Sequence, residues 1–92
     1  MSKFADEIDL NLIDNFHKQV GKNVKRLRES KGYSQLKLSH LLGHKSVGLV
    51  SQAEVYHKKQ HFSLTHLYKL AYVLECDIKD FLRDTNVYPT KE

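Results

Sequence analysis

Cysteine and proline are nearly absent: Cys76 and Pro89 are the only examples in 92 residues. A lone cysteine excludes a disulfide within the chain and fits a reducing compartment. Pro89 falls in the stretch from Thr85 to Glu92, which reads as a flexible, fraying tail. No apolar run approaches the ~20 residues needed to span a bilayer, and the first residues lack a basic region followed by an apolar core. A cytoplasmic protein with no membrane partner is expected. Sustained two-residue alternation is missing as well, which argues against strands. No glycine-rich phosphate cradle follows a strand and no serine sits in a nucleophile elbow, so neither enzymatic activity nor a cofactor is expected.

Acid is scarce where base is dense. Eleven of the fifteen Lys and Arg residues lie between His17 and Lys69, alongside only Glu29 and Glu54. Residues 1–16 carry one base and four acids, and residues 70–92 carry three bases and five acids, so the blocks are −3, +9 and −2. A net charge of +4 therefore conceals a strongly basic middle, the footprint of a surface that docks on phosphates. Apolar content of 40% with 28% charged residues fits one small globular domain.

The apolar spacing is helical throughout. Ile13, Phe16, Val20, Val24 and Leu27 recur every three or four residues, predicting a first helix that ends near Lys31 and Gly32. Ser34 is positioned to cap a second helix with Leu38, Leu41 and Leu42 inward, and Gly43 to end it in the left-handed conformation. Ser46 is read as the cap of a third helix reaching about Tyr56, with Val50 and Ala53 buried. Ser63 caps a fourth with Leu64, Leu67, Leu70, Ala71 and Leu74 as its core stripe, and Asp77 starts a short fifth anchored by Ile78 and Phe81. Residues 1–16 form either an acidic N-terminal extension or the start of the first helix, residues 17–84 the domain, and residues 85–92 the tail.

Within this frame, the run VGKNVKRLRESKGYSQ from Val20 to Gln35, LLG at Leu41 to Gly43, VSQAE at Val50 to Glu54 and SLTHLYKLA at Ser63 to Ala71 resemble the Cro/cI-type (XRE) helix-turn-helix family. The likeness, from Val20 to Leu82, covers about two thirds of the chain. It implies an all-α, five-helix lambda repressor-like bundle that binds double-stranded DNA sequence-specifically as a homodimer. The turn between Gly43 and Val50 and the segment between Glu54 and Ser63 are longer than the family's usual spacing. Glu75 stands where the family often has glycine.

Carried over by position, Ser34 and Gln35 resemble the start of the second helix that approaches a DNA phosphate. Arg28 and Glu54 match a structural pair linking the first and third helices. The third helix is expected in the major groove, with Lys45, Ser46, Val47, Gly48, Ser51 and Gln52 as base-reading positions and Leu49 shared between groove and core. Gln52 is the strongest of these, because a carboxamide can pair with adenine through two hydrogen bonds. His57, Lys58 and Lys59 behind the helix, with Lys22, Lys25 and Arg26 on the first, extend a phosphate-binding track. Tyr68 and Tyr72, one turn apart, with Val87 and Tyr88, form a candidate dimer interface.

The histidine pairs His40 and His44, and His57 and His61, have four-residue spacing but no third ligand nearby in sequence, so no metal is expected. Cys76, between Leu74 and Ile78, reads as a small buried hydrophobe. The competing functional class is a protein-interaction module that kept the bundle but lost base reading, using Val47, Gly48 and Leu49 or Leu36 and Leu41 to hold a protein partner.

Overall fold

Asp9 opens the longest helix, its carboxylate accepting the Asn11 N–H at 2.8 Å. In the computed structural model, which describes residues 4–86, helix α1 runs Leu10–Ser30 after a 3-10 turn at Ala5–Glu7. Residues 10–16 are therefore the first turns of α1. Ile13 remains 40% exposed, so the apolar stripe meets the core only from Phe16 onward, through Val20, Val24 and Leu27.

Helix α2 spans Gln35–Leu41, with the Ser34 hydroxyl accepting the Lys37 N–H at 2.9 Å. Gly43 closes it at φ +88°, a conformation that costs a residue with a Cβ about 1–2 kcal/mol. Helix α3 is shorter than the sequence suggests, Gly48–Ala53, and Ser46 does not cap it. The capping position falls to Val47, whose φ −82° and ψ −6° are helical, whereas a capping hydroxyl needs extended backbone. The extra length of the turn is taken up in bends before Gly48. At the other end Tyr56 turns left-handed at φ 57°, which stops the helix three residues early.

Helix α4, Leu64–Leu74, has a capping box in which Ser63 Oγ accepts the His66 N–H and His66 Nδ1 accepts the Ser63 N–H. Leu67, Leu70 and Leu74 are buried, but Leu64 is 80% exposed and leaves the expected core stripe. At 100° per residue Leu64 points about 90° away from the mean direction of the other three leucines. Helix α4 ends with Glu75 left-handed at φ 56°, where the carbonyl of Ala71 accepts the Cys76 N–H at 3.1 Å. The expected fifth helix is a 3-10 segment, Ile78–Leu82, capped by Asp77. The described residues thus form four α-helices with three 3-10 segments and no strand, one fewer α-helix than the sequence suggests.

Val24, Leu38, Val50, Leu70 and Phe81 are fully buried, so every helix and the final 3-10 segment contribute to one core. Each such side chain contributes about 1.5–3 kcal/mol by leaving water. One steric and one polar device set how α1 meets the rest. A Cβ on Gly21 would stand 2.5 Å from the Glu54 carbonyl oxygen and 2.6 Å from that of Ala53, so glycine alone permits this approach to the end of α3. Buried Asn23 donates from Nδ2 to the carbonyls of Phe81 at 2.9 Å and Arg83 at 2.8 Å, tying the C-terminal segment to α1.

Candidate nucleic-acid interface

Three helices converge on one carboxylate. Glu54, at the end of α3, is buried, and its Oε2 accepts Arg28 Nε at 2.7 Å while Oε1 accepts Arg28 Nη2 at 3.1 Å. Gln35 Nε2, at the start of α2, donates to the same Oε1 at 2.9 Å, and Arg28 Nη1 donates to the Tyr33 carbonyl at 2.8 Å. The carboxylate of Glu54 holds the guanidinium of Arg28 in its charged form, raising its pKa despite burial. Every buried polar side-chain atom among the described residues has a partner. The arrangement fixes the angle between α2 and α3, and it engages the Gln35 amide inside the protein.

The outward face of α3 follows from its buried one. With Val50 and Ala53 inside, Gly48, Ser51, Gln52 and Val55 lie on the opposite side at three- and four-residue spacing. Gln52 is exposed, whereas Ser51 Oγ donates to the Gly48 carbonyl at 3.2 Å. Lys45 and Ser46 are exposed in the bend that leads into the helix, and Val47 is half-buried. Leu49 packs against the core, which leaves it little surface for any partner. Val55, just beyond the last residue of the helix, is 63% exposed.

Behind α3 the backbone is strained. Tyr56, Lys58 and Lys59 all have positive φ, at a cost of about 1–2 kcal/mol each for residues with a Cβ. Contacts to α1 hold the segment in place. The Tyr56 hydroxyl donates to Asp14 Oδ1 at 2.8 Å, which lowers the pKa of the Asp14 carboxyl and raises that of the phenol. Lys59 Nζ lies 3.4 Å from the same oxygen. The His61 ring stacks on His17 at 4.1 Å between centroids, and His17 stacks on Tyr56 at 5.5 Å. His57 and Lys58 are exposed at the tip.

On α1, Lys22 and Lys25 are exposed one turn apart. Arg26 Nη2 lies 3.5 Å from Oδ1 of Asn23, one turn earlier on the same helix. Lys45, Ser51, Gln52 and Lys58 thus lie on α3 or in the segments directly flanking it, whereas the contact of Arg26 is within α1. Tyr68 and Tyr72 on α4 are 74% and 83% exposed and align with Leu64 at four-residue spacing. Val87 and Tyr88 lie outside the described residues. Burial, then Asp80 and Asp77, raise the pKa of the Cys76 thiol, a poor setting for a nucleophile. His44 faces His66 at 6.1 Å.

A family model described as helix-turn-helix matches residues 24–81. No curated protein and no solved structure matches the chain. No helix of the described residues is long and apolar enough to cross a membrane.

Proposed function

The chain belongs to the XRE-type helix-turn-helix family, whose model covers more than half of it, and from that premise we propose that it is a sequence-specific double-stranded DNA-binding transcriptional regulator, a repressor or antitoxin-like autoregulator. The observation that carries this reading is the outward face of α3. Gln52 is exposed there and its side chain has no hydrogen-bond partner among the described residues, with Lys45 before it and Lys58 after it, while the opposite face is locked through Glu54 to Arg28 and Gln35. In the major groove Gln52 reads a base edge, Val55 meets a thymine methyl, and Ser51 and Lys45 reach bases or phosphate. Lys58, His57, Lys22 and Lys25 bind the backbone and set register. The chain is a binding protein of the cytoplasm that performs no chemistry on its ligand.

Two copies bind together in this reading. Leu64, Tyr68 and Tyr72 form an exposed stripe suited to a two-fold contact, where tyrosine is enriched among energetically dominant residues. The recognition helices then lie about 34 Å apart, matching successive major grooves. Selection from a random duplex pool tests both points: the expected product is a pseudo-palindrome, reduced to an unspecific pool by Gln52→Ala. Sedimentation of the complex should give two chains per site, and Tyr72→Asp should reduce that to one.

The competing reading, a protein-interaction module, finds support in Leu36 and Leu41, which are 49% and 39% exposed on α2. Recovery of no motif at all would favour it.

A further inference from the structure

The far side of α1 carries a feature that DNA binding does not use. An open groove of about 660 Å³ lies between the first turns of α1 and residues 84–86. Its floor is Ile8, Leu12, Ile13 and Phe16, of which Leu12 is 60% exposed and Ile8 43%. Glu7, Asp9 and Asp84 edge it, and no lysine, arginine or histidine is among the described residues lining it. Leu12 and Arg28 are about 160° apart around α1 by helix geometry, so the groove faces away from the carboxylate that anchors α3.

We propose that this groove is a docking site for an amphipathic, basic segment of a partner protein: an apolar face of Leu or Ile type, flanked by Lys or Arg. Charge selects that occupant. A second copy related by two-fold symmetry would bring its own Glu7, Asp9 and Asp84 against the same three carboxylates. DNA is repelled by the same edge. A segment with basic flanks neutralises it while its apolar face covers Leu12 and Ile8, and exposed apolar side chains in a cleft with a polar edge are the usual mark of such a contact. The stretch of α1 from Leu10 to Gln19 spans about 15 Å, enough to seat two to three helical turns of a partner. Because the groove and α3 lie on different sides of α1, the partner binds whether or not DNA is present.

The test uses the full chain, isotopically labelled, and two synthetic helical peptides of about 12 residues, ~18 Å long, with the same leucine face but either lysine or glutamate flanks. The lysine peptide should shift backbone amide signals of residues 7–19 and 84–86, and the glutamate peptide should not. Leu12→Ser should weaken lysine-peptide binding at least about tenfold, as expected for a central apolar anchor. Asp84→Asn, which suits the left-handed backbone at φ 62°, should weaken it about two- to threefold and flatten its salt dependence. Duplex DNA affinity should be unchanged by either substitution, so failure here is distinguishable from failure of the DNA-binding reading. The proposal is overturned by equal binding of both peptides, by binding of neither, or by shifts elsewhere on the surface. It is equally overturned by a dimer in sedimentation that Leu12→Ser abolishes, or by nuclear Overhauser contacts from Tyr88 to Leu12, which would make a second copy or the chain's own tail the occupant.

Discussion

Gln35 donates its side-chain amide to Glu54 at 2.9 Å, on the same oxygen that accepts Arg28 Nη2. The first residue of α2 is thereby bound to the last turn of α3, and α1 supplies the charge that makes burial of that carboxylate tolerable. An ion pair with side chains only 8% and 0% exposed loses far more when one partner is removed than it contributes as a pair. Arg28→Ala should therefore cost about 3–5 kcal/mol, much of the roughly 5–14 kcal/mol available to a chain of this size. Replacing both residues together, Arg28→Met with Glu54→Leu, should cost less than either single change. Chemical denaturation of Arg28→Met, of Glu54→Leu and of the double variant checks the ordering.

Gly21 gives a test of helix packing. On an isolated helix Gly→Ala stabilises by about 1 kcal/mol, yet here the added methyl would meet backbone oxygens of Ala53 and Glu54 at 2.6 and 2.5 Å. Backbone cannot swing aside as a side chain does, so overpacking of about 1–3 kcal/mol should dominate. Gly21→Ala should lower the melting temperature and displace α3, visible as shifted amide signals from Gly48 to Glu54.

The histidines make stability depend on pH. Burial, and then the neighbouring His61, lower the pKa of His17, with Asp14 opposing. Burial, then His44 and Lys69, lower that of His66, and its Nδ1 accepts the Ser63 N–H only when unprotonated. Below the ordinary imidazole value of about 6.5 the unfolded chain binds these protons while the folded chain resists them. Stability should then fall as pH drops from about 6.5 toward the lowered folded values, and be complete above it. Melting curves between about pH 7.5 and 5.5 should show this slope, and His17→Gln and His66→Gln should each reduce it.

Much of the scaffold was legible because its signals are local. The hydroxyls of Ser34 and Ser63, the carboxylate of Asp77 and the left-handed Gly43 each act within a few residues of their own position. The geometry of Arg28 and Glu54 came through the family resemblance, which spans 26 residues of separation that periodicity cannot bridge. Ser46 misled because a serine before an apolar run is a cap only if its backbone is extended, and the long turn leaves that place to Val47 in a helical conformation. Leu64 misled because a leucine in a first turn satisfies the apolar pattern without facing the core. Gly21, Asn23 and the stacked His17 and His61 were invisible for a common reason. Each is defined by a residue more than 30 positions away, and nothing in the local sequence marks a close approach.

The central claim is that α3 reads duplex DNA while the bases around it hold the phosphates. It is tested most directly by measuring affinity for the selected duplex across a series of salt concentrations, for the native chain, Gln52→Ala and Lys58→Ala. Affinity should fall steeply, with a log-log slope of about 0.9 per phosphate contacted. Gln52→Ala should keep that slope while losing about 1–3 kcal/mol of preference at one or two base pairs. Lys58→Ala should weaken all sequences alike and reduce the slope by about one unit. Absence of duplex binding at low salt, a flat salt dependence, or a base preference changed by Lys58→Ala but not by Gln52→Ala would contradict the account.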